Sequence, residues 1–162
     1  MARRLAKRNA STVGQKLLLG FTALVIAGCG AIAATPTNRP SVVVAFEDAP
    51  FVPDDPRFPA GPGVAVLHGD PSTGPSAMLI SIRRGSIPLH THSSDYHLLV
   101  VRGTVKHWDE GGTEAAARPL GPGSYWFQPA DQVHGDACVA DECVAYLVWS
   151  GKRDGKLAPA RP

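Results

Sequence analysis

His90-Thr91-His92-Ser93-Ser94-Asp95-Tyr96-His97-Leu98-Leu99-Val100-Val101 sets a histidine pair, a polar turn and an apolar run in succession. His90 and His92 are two apart, so on an extended strand both imidazoles project from one face. Ser93-Ser94-Asp95 is turn chemistry, and His97 opens the next apolar run, so a hairpin here folds His97 back toward the pair. His134 follows beyond Tyr125-Trp126-Phe127 and Pro129, past the end of another strand. Neutral imidazole is the commonest protein ligand for first-row divalent metals. His90, His92, His97 and His134 are therefore the candidate ligands of one divalent ion, with zinc, iron, manganese and nickel not distinguished. His68 and His107 stand outside this organisation and read as satisfied polar residues of a β protein.

Outward from this stretch, short β-rich runs alternate with Gly/Pro punctuation: Ser41–Phe46, Val64–His68, Ala77–Ile82, Tyr96–Val101, Thr104–Trp108, Ser124–Gln128 and Cys143–Trp149. Turn signals separate them at Gly61-Pro62-Gly63, Gly69-Asp70-Pro71, Gly111-Gly112 and Gly121-Pro122-Gly123. Many short strands at regular spacing predict an all-β, antiparallel sandwich or barrel. With 17 Gly and 15 Pro in 162 residues, a helical bundle is excluded. Glu114–Arg118 is too short a helix-like stretch to nucleate alone and reads as a loop turn. Residues 47–63, acidic and proline-rich, read as a long surface loop.

Two spaced patterns resemble the cupin family. The first reads Gly85-x4-His90-x-His92-x4-His97-x5-Gly103, and the second Gly123-x5-Pro129-x-Asp131-x2-His134-x3-Cys138. Together they span roughly residues 64–150. The runs from Gly69 to Ser72, His90 to His97 and Gly121 to Ala130 are similar to a cupin group of unassigned function, with four histidines, often likened to the cupin-like domain of zinc-binding anti-sigma factors. The resemblance implies a single jelly-roll barrel, a metal held inside it, and pairing through sheet edges into a homodimer. Against the general pattern, His97 stands where an acid is usual, Asp131 replaces a Gly, and Cys138 replaces an Asn. Four neutral histidines would leave the full charge of a divalent ion to favour hydroxide or an anionic ligand.

The N-terminus reads as an address. Arg3, Arg4, Lys7, Arg8 and Lys16 precede an eleven-residue apolar run, Leu17–Ala27, too short to span a bilayer and suited to a signal-peptide core. Ile26-Ala27-Gly28-Cys29 resembles a bacterial lipobox with Cys29 as the lipidated residue, while Ala31-Ile32-Ala33 fits ordinary signal peptidase. An uncleaved anchor is the third reading. The organisation expected is a signal peptide over 1–28, a tether over 29–40, a barrel domain over 41–155 and a tail over 156–162. The protein is accordingly expected to be exported, in the bacterial cell envelope or periplasm, on a membrane through a lipid anchor. Without residues 1–28 the chain carries 11 bases against 14 acids, so a nucleic-acid surface is not supported.

Cys138 and Cys143 enclose Val139-Ala140-Asp141-Glu142, a turn-like connection. In an exported chain they form a disulfide candidate; Cys-x4-Cys without a second pair is a poor zinc signature. No Gly-x-Ser-x-Gly elbow supports a serine hydrolase, and no glycine-rich loop precedes a helix to cradle phosphate. Three functions fit. One is a metal-dependent enzyme, a dioxygenase or another Lewis-acid catalyst, on a small oxygenated substrate. Another is a non-catalytic ligand- or metal-sensing module of the envelope. The third is a catalytically idle, stable envelope lipoprotein.

Overall fold

A computed structural model describes residues 40–159. The signal segment, the lipobox with Cys29 and the tether up to residue 39 lie outside the described residues. A short 3₁₀ turn, Phe46–Asp48, precedes eight strands: β1 (Val52–Pro53), β2 (Gly63–Gly69), β3 (Ser76–Thr91), β4 (Tyr96–Arg102), β5 (Val105–Asp109), β6 (Tyr125–Gln128), β7 (His134–Trp149) and β8 (Lys156–Leu157). All pairings are antiparallel, in the order β1-β2-β3-β7-β4-β6, with β5 on β7 and β8 on β3. The architecture is the expected antiparallel jelly-roll barrel.

β3 and β7 are each 16 residues long, more than twice the runs that the sequence marks as Ala77–Ile82 and Cys143–Trp149. They pair along most of their length, but the register breaks in the middle. Arg83 faces Glu142 and Gly85 faces Cys138, so Val139-Ala140-Asp141 stand opposite Arg84 alone. This outward excursion is a large bulge. It divides β7 into a half paired with β4 and a half paired with β5. The Cys138–Cys143 disulfide closes its base, with Cα atoms 5.8 Å apart. Gly103, between β4 and β5, packs against the same place. Its φ is +83°, and a Cβ there would lie 2.4 Å from the Glu142 carbonyl oxygen, so only glycine fits.

Alternation along the strands builds the core. In β4, Tyr96, Leu98 and Val100 are buried while His97 and Leu99 are exposed. The inner cluster joins these to Val64, Met78, Val105, Ala145, Leu147, Trp149 and both cysteines. A smaller cluster of Ala65, Leu79 and Val144 lies apart, packed with Phe46, Ala49 and Tyr146.

Two expectations need correction. Ser41–Phe46 is not a strand: Val42 and Val43 are exposed and find no partner strand, while Phe46 packs with Ala65, Leu79 and Val144 and under the Arg102 guanidinium. β-propensity that meets no partner strand makes no strand. Lys156 and Leu157, placed in the tail by sequence, instead pair with Thr91 and His90.

Candidate metal centre

Three histidines meet at one end of the barrel. His90 lies at the end of β3 directly opposite His134, the first residue of β7, and His92 follows just beyond β3. Their ring centroids are 4.3 Å apart for His90–His134, 4.8 Å for His90–His92 and 5.2 Å for His92–His134. One nitrogen from each lies within 4.8 Å of the others.

Backbone carbonyls fix which nitrogen each ring offers. His90 Nδ1 meets the Pro88 carbonyl at 2.8 Å, His134 Nδ1 meets the Gln132 carbonyl at 3.1 Å, and His92 Nδ1 meets the Asp154 carbonyl. A carbonyl oxygen only accepts, so in the neutral ring each Nδ1 carries the proton and Nε2 is the nitrogen that offers a lone pair. Such outer hydrogen bonds orient imidazole ligands and set their tautomer. Burial acts in the same direction. It pushes His134, fully buried, down to about 4, against the smaller opposing pull of Asp136, and it also lowers His92. Both properties suit a divalent transition ion: ring tautomers set by carbonyls and an enclosed setting.

His97 is not part of the cluster. Tyr96 pairs with the buried Trp149 and His97 with the exposed Val148, so strand alternation sends the Tyr96 side chain inward and that of His97 outward. On the outer face His97 Nδ1 shares a 2.7 Å hydrogen bond with the Tyr125 hydroxyl, and its ring lies against Phe127. The four-histidine set is thus corrected to three.

The inward neighbour, Tyr96, donates its hydroxyl to His134 Nε2 at 3.2 Å. Burial raises its ionisation well above the ordinary phenol range, with the nearby Asp136 charge adding to the effect. Asp136, two residues along β7 from His134, places Oδ2 at 3.7 Å from the same Nε2. His107, directly opposite Asp136 in the β5–β7 register, donates Nδ1–H to Asp136 Oδ1 at 2.7 Å and stacks on Trp126. His107 is indeed a satisfied histidine, but its partner is a carboxylate beside the cluster. The sequence held a signal for this: His134-x-Asp136 has the same two-residue period as His90-x-His92.

Asp95 and Asp131 do the turn work expected of them. Asp95 Oδ1 accepts the Ala130 N–H at 2.7 Å. Asp131 takes φ +60° where the cupin pattern has glycine, a conformation that Asp tolerates better than most residues, and its N–H donates to the His92 carbonyl.

The cluster opens on a cavity of about 260 Å³. Ile80, Ile82, Ile87, Leu98 and Leu147 supply apolar wall, while Asp136, Tyr96, Asp54 and Arg153 supply the polar groups besides the histidines.

The histidine cluster is set within an antiparallel jelly roll of the cupin-like fold class. Solved structures agree on the fold. A cupin-like protein of unknown function from Ralstonia eutropha aligns over 74% of this chain and 79% of its own, with 22% identity and a TM-score of 0.57. KdgF from Halomonas sp. aligns over 68% of this chain and 94% of its own, with 22% identity and a TM-score of 0.51. The DMSP lyase DddQ from Ruegeria pomeroyi aligns over 71% of this chain but 59% of its own, with 20% identity and a TM-score of 0.52. Within this class the chain belongs to the family described as a domain of unknown function, DUF4437, which it matches over residues 50–160. No curated protein matches it in sequence.

Proposed function

We propose that this protein is an exported metal-dependent enzyme that holds one divalent ion on His90, His92 and His134 and transfers protons on a small oxygenated substrate. The observation that carries this reading is the gathering of one ring nitrogen from each of three histidines within 4.8 Å, each ring held by a backbone carbonyl, beside a carboxylate and a phenol. When bound, the ion supplies Lewis-acid polarisation of a substrate oxygen. The chain supplies the rest. Asp136, aimed by His107, is the proton acceptor. Tyr96, kept protonated by burial, is the donor. The apolar walls limit water in the cavity. The lyase named among the structural relatives is compatible with such chemistry.

Export rests on the basic head, the short apolar run and the lipobox ending at Cys29; a disulfide in the barrel suits an oxidising compartment. Cys29→Ala should move the protein out of the membrane fraction or leave its precursor unprocessed.

The deciding experiment is metal analysis of full-length protein purified without added metal, followed by NMR of small carboxylates and ketones incubated with it in D₂O. One equivalent of metal and deuterium uptake that vanishes in Asp136→Asn support the enzyme. Tightly held metal with no exchange in any compound favours the sensing module, and absence of metal overturns both.

A further inference from the structure

The cavity lining holds two polar groupings: the histidine cluster with Asp136 and Tyr96, and Arg153, the single Lys or Arg among the residues that line the cavity. Arg153 is three-quarters buried and forms a two-pronged ion pair with Asp54, Nη1 to Oδ1 at 2.7 Å and Nη2 to Oδ2 at 2.8 Å. The two residues lie 99 positions apart and both face the cavity.

Arg153 is held in place from both sides. Its N–H donates to the Pro71 carbonyl at 2.8 Å. The next residue, Asp154, accepts the His92 Nδ1–H on its carbonyl, and its carboxylate accepts Ser93 N–H and Oγ–H at 2.9 and 2.6 Å. One dipeptide therefore sets a guanidinium at the cavity and holds a candidate ligand imidazole beside it.

We propose that Arg153 is the anion-recognition residue of this cavity and that its ligands are small carboxylates with an apolar body, admitted by exchange against the Asp54 carboxylate. The proposal deepens the metal-enzyme reading and rests on it for the group that binds the ligand's other end. A guanidinium matches a carboxylate in a planar fork, and a mostly buried one must keep a partner. Asp54 is that partner at rest. Its side chain is about one-third exposed, so water can take it back when another carboxylate replaces it, and like exchanges for like at small cost. In the same lining, Ile80, Ile82, Leu98 and Leu147 offer nothing polar and suit an alkyl chain. The Trp149 indole N–H, buried in the same lining, has no hydrogen-bond partner among the described residues and is available to an acceptor oxygen.

The test is calorimetric titration of the full-length, metal-loaded protein with straight-chain dicarboxylates from succinate to adipate, each beside the monocarboxylate of equal length. At least one dicarboxylate should bind about tenfold or more tightly than its monocarboxylate, the size expected of one added charged hydrogen-bonded pair. Arg153→Gln should erase that preference, and Arg153→Lys should keep part of it. Asp54→Asn should strengthen dicarboxylate binding several-fold, because the competing carboxylate is gone. An ion pair that only braces the fold would behave otherwise: both substitutions would weaken every ligand alike, and that result overturns the proposal. So does the absence of any dicarboxylate preference in the wild type. If Arg153→Gln does not fold, Asp54→Asn decides by its sign. Protein found to hold no metal, yet losing dicarboxylate binding in Arg153→Gln, would sink the metal reading and keep Arg153. Metal-bearing protein with no preference would do the reverse.

Discussion

His107 donates Nδ1–H to Asp136 Oδ1 at 2.7 Å, while Asp136 Oδ2 stands 3.7 Å from His134 Nε2. One carboxylate thus stands between a histidine of β5 and a candidate ligand on β7. A negative charge that close to the cluster offsets part of a divalent ion's charge and strengthens its hold. Asp136→Asn should therefore weaken metal binding by about tenfold, in the range seen for outer partners of metal ligands. His107→Ala should weaken it less, since the carboxylate remains but is no longer aimed. Competition against a chelator measures both; equal affinity in all three proteins would show that Asp136 only braces β5.

The outward face of β4 gives a second test. His97→Ala should leave metal content unchanged and cost at most about 1 kcal/mol of stability through the lost Tyr125 hydrogen bond at an exposed site. His90→Ala and His134→Ala should lose most of the metal. Metal loss in His97→Ala equal to that in His90→Ala would return His97 to the ligand set.

Burial of His134 makes the chelated protein acid-sensitive. Its folded-state pKa, about 4, lies below the ordinary 6.5, so between those values the unfolded chain binds the proton first. Stability is then fully present above pH 6.5, falls as pH drops toward 4, and levels off below. The loss over this window is roughly 3 kcal/mol from His134. His92, also lowered by burial, adds in the same direction. Urea unfolding at a series of pH values should show this slope, and His134→Asn should flatten it. A slope unchanged by His134→Asn would assign the sensitivity to other groups.

The disulfide spans the excursion between the two halves of β7. Closing so short a loop is worth about 2 kcal/mol. The Cys138→Ala/Cys143→Ala double variant should melt lower while keeping its metal, because neither cysteine belongs to the histidine cluster. Loss of metal with the fold intact would show that the bulge sets the position of His134.

Local chemistry was enough for much of the architecture. Strand composition and Gly/Pro spacing marked most of the sheet, and the two-residue period of His90-x-His92 put two imidazoles on one face whatever the partner strands. The Cys-x4-Cys spacing allowed its disulfide because a turn within the connection brings the two ends together. These features depend on neighbours within a few residues, where chain geometry permits few alternatives.

Tertiary pairing decided the rest. Whether Tyr96 or His97 faces inward is a question of strand parity, and parity is fixed only when Tyr96 meets Trp149 across the sheet. His107 and Asp136, 29 residues apart, become partners because β5 docks on the first half of β7. The β-prone run from Ser41 to Phe46 stays out of the sheet, and its Phe46 packs on Ala65, Leu79 and Val144 instead. Arg153 and Asp54 form one end of the cavity only once the segment after β7 and the loop after β1 are brought together. A sequence specifies each side chain and its local conformation, but a site assembled from several strands takes its composition from their register.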